Sequence, residues 1–306
     1  MNIRPETPRD YAAIAALNVR AFDQRAGEAL VVDLLRHRSA FDPDLSFVAE
    51  IDGRIVGHVL FSPYSIRLLG QDVRAVNLAP IAVDPAHQKQ GIGGALIEAG
   101  HQSAREKGFA LSLLLGHVEY YPRFGYRPGV YGVSSLILEA IDVSQSEKLL
   151  ETRKPLEADV PVLRELWLHE EGNVDFALDP GDALLDWISP NPAIMAAVYM
   201  RDSQIVGYTR VSQHEPDSPR VFLAADAEAA RTMVAMLMVG GASLTLPLHP
   251  LSTSSAALGV AQISAWDAGM AFSLKPNPFD EFVKQLERGE RPAGRPIWPV
   301  VFDLAE

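Results

Sequence analysis

Segments of this chain repeat at a fixed separation, and a repeat restricts the fold more than any local pattern does. Arg4-Pro5 heads an apolar-periodic segment containing Ile14 and Leu17. Lys154-Pro155, 150 residues later, heads another with Leu163, Leu166 and Trp167. Phe47 to Gly57 alternates apolar and polar residues around Asp52-Gly53, a type I′ hairpin signal. Its echo runs from Ala197 to Gly207, with Ile55-Val56-Gly57 and Ile205-Val206-Gly207 again 150 apart. One offset at two separated elements favours two copies of a single α/β unit, and 306 residues suit two domains of ~150 each. The expected boundary lies near residues 145 to 153, which divides the chain into 1–149 and 150–306.

Within the first copy the patterns predict a strand at 2–5, helices near 8–20 and 26–37, and a hairpin over 46–62. A strand from Val76 to Val83, a helix from Ile92 to Lys107 stopped by Gly108, and a strand from Ala110 to Leu115 follow. The second copy repeats that order: strand 153–156, helix 159–168, hairpin 194–212, strand 220–224, helix 226–239, strand 242–248. The expected class is α/β, an α+β arrangement with a mixed sheet, present twice in tandem.

Composition removes several functions. With no Cys there is no disulfide scaffold, no thiolate metal site and no cysteine nucleophile. The net charge of −12 argues against nucleic acid and anionic membrane as partners, since both are held by Lys and Arg on phosphate. An uncharged run from Thr232 to Leu248 is broken by Gly240-Gly241 and reads as a buried helix followed by a strand, not a span. The charged start, Met1 to Glu6, lacks the apolar stretch of an export signal, so a cytoplasmic location is expected. No spacing of His, Asp or Glu supports a metal site. Residues 1–150 carry net −2 and 151–306 net −10, so an anionic ligand belongs in the first half.

Between the strand ending at Val83 and the helix that follows lies Asp84-Pro85-Ala86-His87-Gln88-Lys89-Gln90-Gly91-Ile92-Gly93-Gly94-Ala95. Glycines at a strand-to-helix turn let backbone N–H groups close on an anion, and the helix N-terminus adds partial positive charge. The dinucleotide fingerprint needs a glycine where Leu96 stands, and the P-loop needs Gly-Lys-Ser/Thr, so neither nucleotide motif is present. What remains is Gln/Arg-x-x-Gly-x-Gly/Ala, satisfied by Gln88, Gly91 and Gly93 after Leu78 to Pro85.

That segment resembles the GNAT superfamily of acyl-CoA-dependent N-acyltransferases. The resemblance extends to Tyr120-Tyr121-Pro122-Arg123-Phe124-Gly125-Tyr126, which is similar to the family's Tyr-x-x-x-Gly-aromatic motif, and covers Ile3 to about Pro128. Ala21-Phe22 through Pro63 resembles the predicted small-molecule acetyltransferase branch. The Tyr-x-Arg-Phe-Gly-Tyr run also recurs in the enhanced-intracellular-survival type of aminoglycoside acetyltransferase. The resemblance implies acetyl-CoA as cosubstrate. Ile81, Ala82 and Val83 would pair with its pantetheine arm as an added strand. Gln88, Lys89, Gln90, Gly91, Ile92, Gly93 and Gly94 would hold its pyrophosphate. Tyr121 would protonate the departing thiolate, with Tyr120 the competing assignment.

The base is open. Some family members place a Glu on the fourth strand, where this chain has Asn77. His117 and Glu119 beyond the fifth strand, Glu28 and His58 are the candidates, with His117 preferred for the site. Direct loss of the proton to water needs none of them. Arg123 either meets a CoA phosphate or a substrate carboxylate, or packs along the neighbouring aromatics.

In the second copy the equivalent turn reads Ala224-Ala225-Asp226-Ala227-Glu228-Ala229-Ala230, and Ser255 stands where the first has Tyr121. Carboxylates repel a pyrophosphate but cap a helix well. The second half is therefore expected to have lost the acyl-CoA site and to serve as substrate wall or assembly surface. Its charge could draw a cationic small-molecule amine, and equally serves solubility. The leading expectation is an N-acetyltransferase acting by direct attack in a ternary complex. The alternatives are a non-catalytic acyl-CoA-responsive binding protein and an inert scaffold.

Overall fold

The computed structural model describes residues 1–139, 149–238 and 241–304. Residues 145–148 of the expected boundary and the end of the expected helix at Val239 lie outside the described residues. The strands are β1 (Asn2–Pro5), β2 (Ser46–Ile51), β3 (Arg54–Leu68), β4 (Gln71–Val83), β5 (Leu111–Leu115), β6 (Gly132–Glu139) and β7 (Glu151–Arg153). They continue with β8 (Ile194–Arg201), β9 (Gln204–Ser212), β10 (Val221–Ala224), β11 (Ser243–Leu246), β12 (Gln262–Ala265) and β13 (Gly269–Ser273). The helices are α1 (Tyr11–Ala21), α2 (Gly27–Arg36), α3 (Ile92–Glu106), α4 (Val160–Glu171), α5 (Ala227–Leu237), α6 (Ser255–Leu258) and α7 (Phe279–Glu287).

The repeat is visible in backbone detail. Asp52-Gly53 and Asp202-Ser203 both take positive φ at the hairpin turns, the left-handed pair that a two-residue connection with the native twist requires. Each hairpin carries a register shift at the same place, Ala49/Glu50 and Tyr199/Met200. Near the chain entry the chemical equivalence is one residue tighter than the Arg4/Lys154 alignment. Arg4 donates to Asp10 at 2.7 Å and Arg153 donates to Asp159 at 2.6 Å, while both Asp side chains also accept from the backbone N–H three residues earlier.

Strand pairing does not divide at residue 149. The first sheet runs β1-β2-β3-β4-β5-β13, the second β10-β9-β8-β7, and the third β11-β6-β12. Thus β6, which follows the Tyr121 segment, pairs with β11 of the second half, and β13 returns to pair with β5 of the first. The two halves exchange strands, so the six-stranded and the three-stranded sheets each draw strands from both sides of residue 149.

Alternation on the first sheet decides its layers. Phe47, Ala49, Val59, Phe61, Val76 and Leu78 face α3, with Ile92, Leu96 and Ile97 against them. Val48 and Leu60 face the other way, against Ile14 of α1 and Val31, Val32 and Leu35 of α2. Farther along that second face Ala75, Leu111 and Leu113 pack on Phe176 and on Phe279 and Phe282 of α7. Asn77, between Val76 and Leu78, is therefore directed to the face away from α3, and it is 1% exposed.

Candidate active site

Strands β4 and β5 pair in parallel at only three positions, Ala75 with Leu111, Val76 with Ser112 and Asn77 with Leu113. β3 holds β4 as far as Val83, with Ala79 and Pro80 both opposite Leu60 in a bulge, while β13 holds β5 through Leu115. Each strand is gripped on its outer side, so they part beyond Asn77. Among the described residues, the β5-facing edge of β4 has no strand partner from Leu78 onward.

A cleft of about 950 Å³ opens at this parting, on the α3 side. Ile81, Val83, Gln88, Lys89, Gly91, Ile92, Gly93, Gly94, His117 and Tyr121 all line it. Ala82 does not, because alternation turns its side chain to the other face, where it is buried. Gln90 is exposed in the turn and also stays outside the lining. Phe22, Val31 and Phe302 also line it, reaching it from the face away from α3. The sequence carried no signal for Phe302, which lies more than 170 positions from the tyrosine motif.

The turn is built to bring backbone to the cleft. Gly91 has φ of +82° and is the residue before α3, a conformation that costs an L side chain about 1 kcal/mol or more. No side chain caps α3, so the first amides of a 15-residue helix point into the opening with the helix's partial positive charge. Gly93 has a different reason. A Cβ there would stand 2.6 Å from the Tyr120 hydroxyl, so only glycine lets the ring lie against the helix end.

Tyr120 and Tyr121 differ in setting. Tyr120 is half-buried, and Arg123 lies over its ring at 4.6 Å while donating to its carbonyl at 3.2 Å. Arg123 thus stacks on an aromatic and lines the cleft at once. Tyr121 is 7% exposed and packs edge-on to Tyr126, whose hydroxyl is fixed by Ser112 at 2.6 Å and His101 at 2.9 Å. Burial, with Tyr120 adding to it, pushes the Tyr121 phenol up to about 12. It remains protonated, and therefore a donor, across the whole physiological range.

Of the four candidate bases, His117 and Glu28 reach the cleft; Glu119 is exposed and stands outside the lining. His58 is fully buried elsewhere, 3.4 Å from Glu6 and 3.1 Å from Ser46, in a cluster closed by Arg36. Burial lowers the His58 pKa, whereas hydrogen bonds from His58 and Arg36 overcome burial at Glu6 and hold its carboxyl down at about 2. His58 is a core group of the first half.

A second cleft of about 700 Å³ lies on the opposite face and shares Ala79, Leu115 and Phe302 with the first. The gap between β4 and β5 joins them. Its walls come from both halves: Asn77, Ser134 of β6, Arg210 of β9, Arg295 and Asp303. Among the described residues no group of three or more His, Asp or Glu side chains could hold a metal, and no helix is long and apolar enough to cross a membrane.

The model of the acetyltransferase (GNAT) domain matches residues 2–129. The uncharacterized N-acetyltransferase YhbS of Escherichia coli is 39% identical over 127 residues, covering 41% of this chain and 73% of that protein. YjhQ of the same organism, also an uncharacterized N-acetyltransferase, is 38% identical over 119 residues, and the match spans 39% of this chain and 65% of YjhQ. The chain belongs to the GNAT acetyltransferase family. Over nearly its whole length the fold is that of tandem GNAT-like proteins. A GCN5-related N-acetyltransferase from Kribbella flavida superposes on 88% of this chain and 70% of its own with a TM-score of 0.69 at 17% identity. Eis1 from Mycobacterium abscessus covers 89% of this chain and 73% of its own with 0.62 at 15%.

Proposed function

We propose that this protein transfers the acetyl group of acetyl-CoA to an amine of a small molecule by direct attack in a ternary complex. The observation that carries this reading is the uncapped α3 N-terminus facing a cleft beside the unpaired edge of β4. An anion receptor and a free strand edge lie together, as a pyrophosphate joined to an amide-bearing arm requires. In this reading residues 1–149 bind the thioester and 150–306 form the substrate wall. The work is done in the cytoplasm, where the thioester is at hand.

The backbone of Ile81, Ala82 and Val83 pairs with the pantetheine arm. The amides from Gln88 to Gly94 hold the pyrophosphate, with Lys89 and Arg123 as cationic neighbours. Acetyl-CoA supplies an activated acyl group, from which the amine nitrogen displaces the thiolate. Tyr121 hydrogen-bonds the departing sulfur. Full transfer from a phenol at about 12 to a thiolate near 8.5 is uphill by about 5 kcal/mol, so Tyr121 acts chiefly as a donor to the developing charge. His117, with Glu28 as the alternative, takes the proton that the alkylammonium must lose. With no Cys in the chain, the commonest acyl-enzyme route is absent.

Calorimetric titration with acetyl-CoA, followed by CoA release in the presence of amines, tests the reading. Saturable binding with amine-dependent thiol release supports it. Binding without turnover would leave an acyl-CoA-responsive binding protein, the alternative favoured by Asn77 where some family members place a Glu as base. No binding at millimolar acetyl-CoA would remove both.

A further inference from the structure

The wall of the second cleft contains polar atoms that the protein itself leaves unsatisfied. Arg295 is held in place: its backbone N–H donates to Asp175 at 2.9 Å, and Nη2 donates to both Glu171 oxygens at 2.7 and 2.6 Å. Its side chain is only 5% exposed, yet Nε and Nη1 have no hydrogen-bond partner among the described residues. Across the same cleft the Oγ of Ser134 and both polar atoms of Asn77 are buried and unpartnered. A buried donor or acceptor without a partner keeps the full cost of its lost hydration, and native interiors hold few. Here five such side chains meet in the wall of one cavity. Arg210 Nε and Asp303 Oδ2 also lack hydrogen-bond partners among the described residues, and these two face each other at 3.6 Å, which leaves Arg295 as the cation not answered by Asp303.

Asn77 has apolar neighbours on that face in Ala75, Leu111 and Leu113, and opposite it on β3 stands Ser62, whose buried Oγ also has no hydrogen-bond partner among the described residues, so no contact there satisfies the amide. The unsatisfied set has instead the character of a receptor. Arg295 offers N–H groups to an anion, and its charge is already shared with Glu171, which suits a monoanion and disfavours a dianion such as phosphate. Asn77 lies two positions before Ala79, where the two clefts meet, and its Oδ1 can accept from a nitrogen at that passage.

We infer that the second cleft takes an amine that also carries a carboxylate, with the carboxylate on Arg295 and the amine on Asn77 at the passage to the first cleft. The inference rests on the acetyltransferase reading above and deepens it by naming the acceptor class. Asn77 is a positioning residue: a neutral amide orients the nitrogen but takes no proton from it. A zwitterion also reconciles the acidic second half, which favours a cationic amine, with an arginine in the cleft wall.

The test uses the full chain and pairs of amines that differ only in the carboxylate: α-amino acids and ω-amino acids of two to six carbons, each against its carboxamide. Calorimetry with each amine tests the cleft whether or not acetyl-CoA binds, so failure of the inference and failure of the acetyltransferase reading are separately visible. At least one amino acid is expected to bind, and to turn over with kcat/KM at least tenfold above its carboxamide. Arg295→Lys, which keeps a cation beside Glu171, should lower that ratio at least tenfold with acetyl-CoA affinity unchanged. Asn77→Leu should raise the amine KM at least tenfold while its thermal midpoint stays level or rises, a combination that a merely structural asparagine would not give. The inference is overturned if carboxamides or simple diamines match the amino acids, or if no amino acid binds. It is equally overturned if Asn77→Leu leaves KM unchanged, which would mean that ordered waters alone satisfy these atoms.

Discussion

The two halves of the molecule carry the same helix after the same strand and finish its N-terminus in opposite ways. In the second half Asp226 accepts from the Ala229 N–H at 2.8 Å and pairs with Arg201, which also reaches Glu228 at 3.2 Å. In the first, Gly91 stands at that position in the left-handed region and no side chain caps α3. A helix start must satisfy its free amides from somewhere. One half does so internally, and the other leaves them open to the proposed acyl-CoA. The same contrast separates Tyr121, which lines the cleft, from Ser255, whose hydroxyl is tied to the His249 carbonyl at 2.7 Å. Under the proposed assignment, the second copy differs from the first by satisfying its own helix start, with the same order of strand and helix kept.

Making the first turn resemble the second should break the comparison most completely. Gly91→Asp with Gly93→Asp places carboxylates where the pyrophosphate is proposed to lie, and at Gly93 also presses on Tyr120. For the unaltered protein, acetyl-CoA at 100 times its Kd should stabilise the native state by about 2.7 kcal/mol in a thermal scan. The double variant should show no shift while keeping its circular dichroism spectrum. A retained shift would mean that the amides do not bind the anion.

Next in size is Tyr121→Phe, expected to lower kcat by about a hundredfold, the lower end for a positioned donor, with acetyl-CoA affinity little changed. Tyr120→Phe is the control, because Tyr120 packs against Gly93 and Arg123. If Tyr120→Phe proves the more damaging, the donor is the other tyrosine.

The local devices were legible because short-range chemistry makes them. Glycine at a strand-to-helix turn, Asp-Gly and Asp-Ser hairpins, and a Tyr-x-x-x-Gly run each act through a few neighbouring residues. The strand exchange was not legible. β6 and β13 are five to eight residues long, and the alternation of such a strand says which face is buried but not which edge it joins. For the same reason the expected hairpin over 46–62 fell short. β3 continues to Leu68 and turns through Leu69-Gly70, and leucine at positive φ carries no turn signal. Arg295 and Phe302 reach the clefts from the far end of the chain, so only tertiary packing reveals them. Asn77 could be read as a departure from a family pattern, but its unpartnered atoms could not.

Acid should separate the halves next. Burial holds His101, in the first half, and His249, in the second, down at about 4, so each is neutral in the folded protein where the unfolded chain would be protonated. Stability then falls as pH drops from 6.5 toward 4, by about 2 kcal/mol for each at pH 5. Glu170 has the opposite sign: burial and the neighbouring Glu171 raise it to about 7, so folding takes up a proton there and stability is gained as pH falls from 7 toward 4.5. The second half is compensated and the first is not. Urea unfolding at pH 7.5 and 5 should show Glu170→Gln steepening the acid loss and His101→Leu reducing it. Equal slopes in all three proteins would remove the assignment.

The smallest effect isolates the cap itself. Asp226→Ala removes the side-chain acceptor from the α5 N-terminus, which typically costs about 1 kcal/mol. Because the second half is proposed to hold no acyl-CoA, the variant should lose that stability and keep full acetyl-CoA affinity, measured by urea unfolding and calorimetry on one preparation. A stability loss with unchanged affinity sharpens the contrast, since it shows the cap serving the fold in one copy where the open helix end serves a ligand in the other. A fall in affinity would instead couple α5 to the first cleft, and the two helix ends could no longer be treated as independent solutions to the same problem.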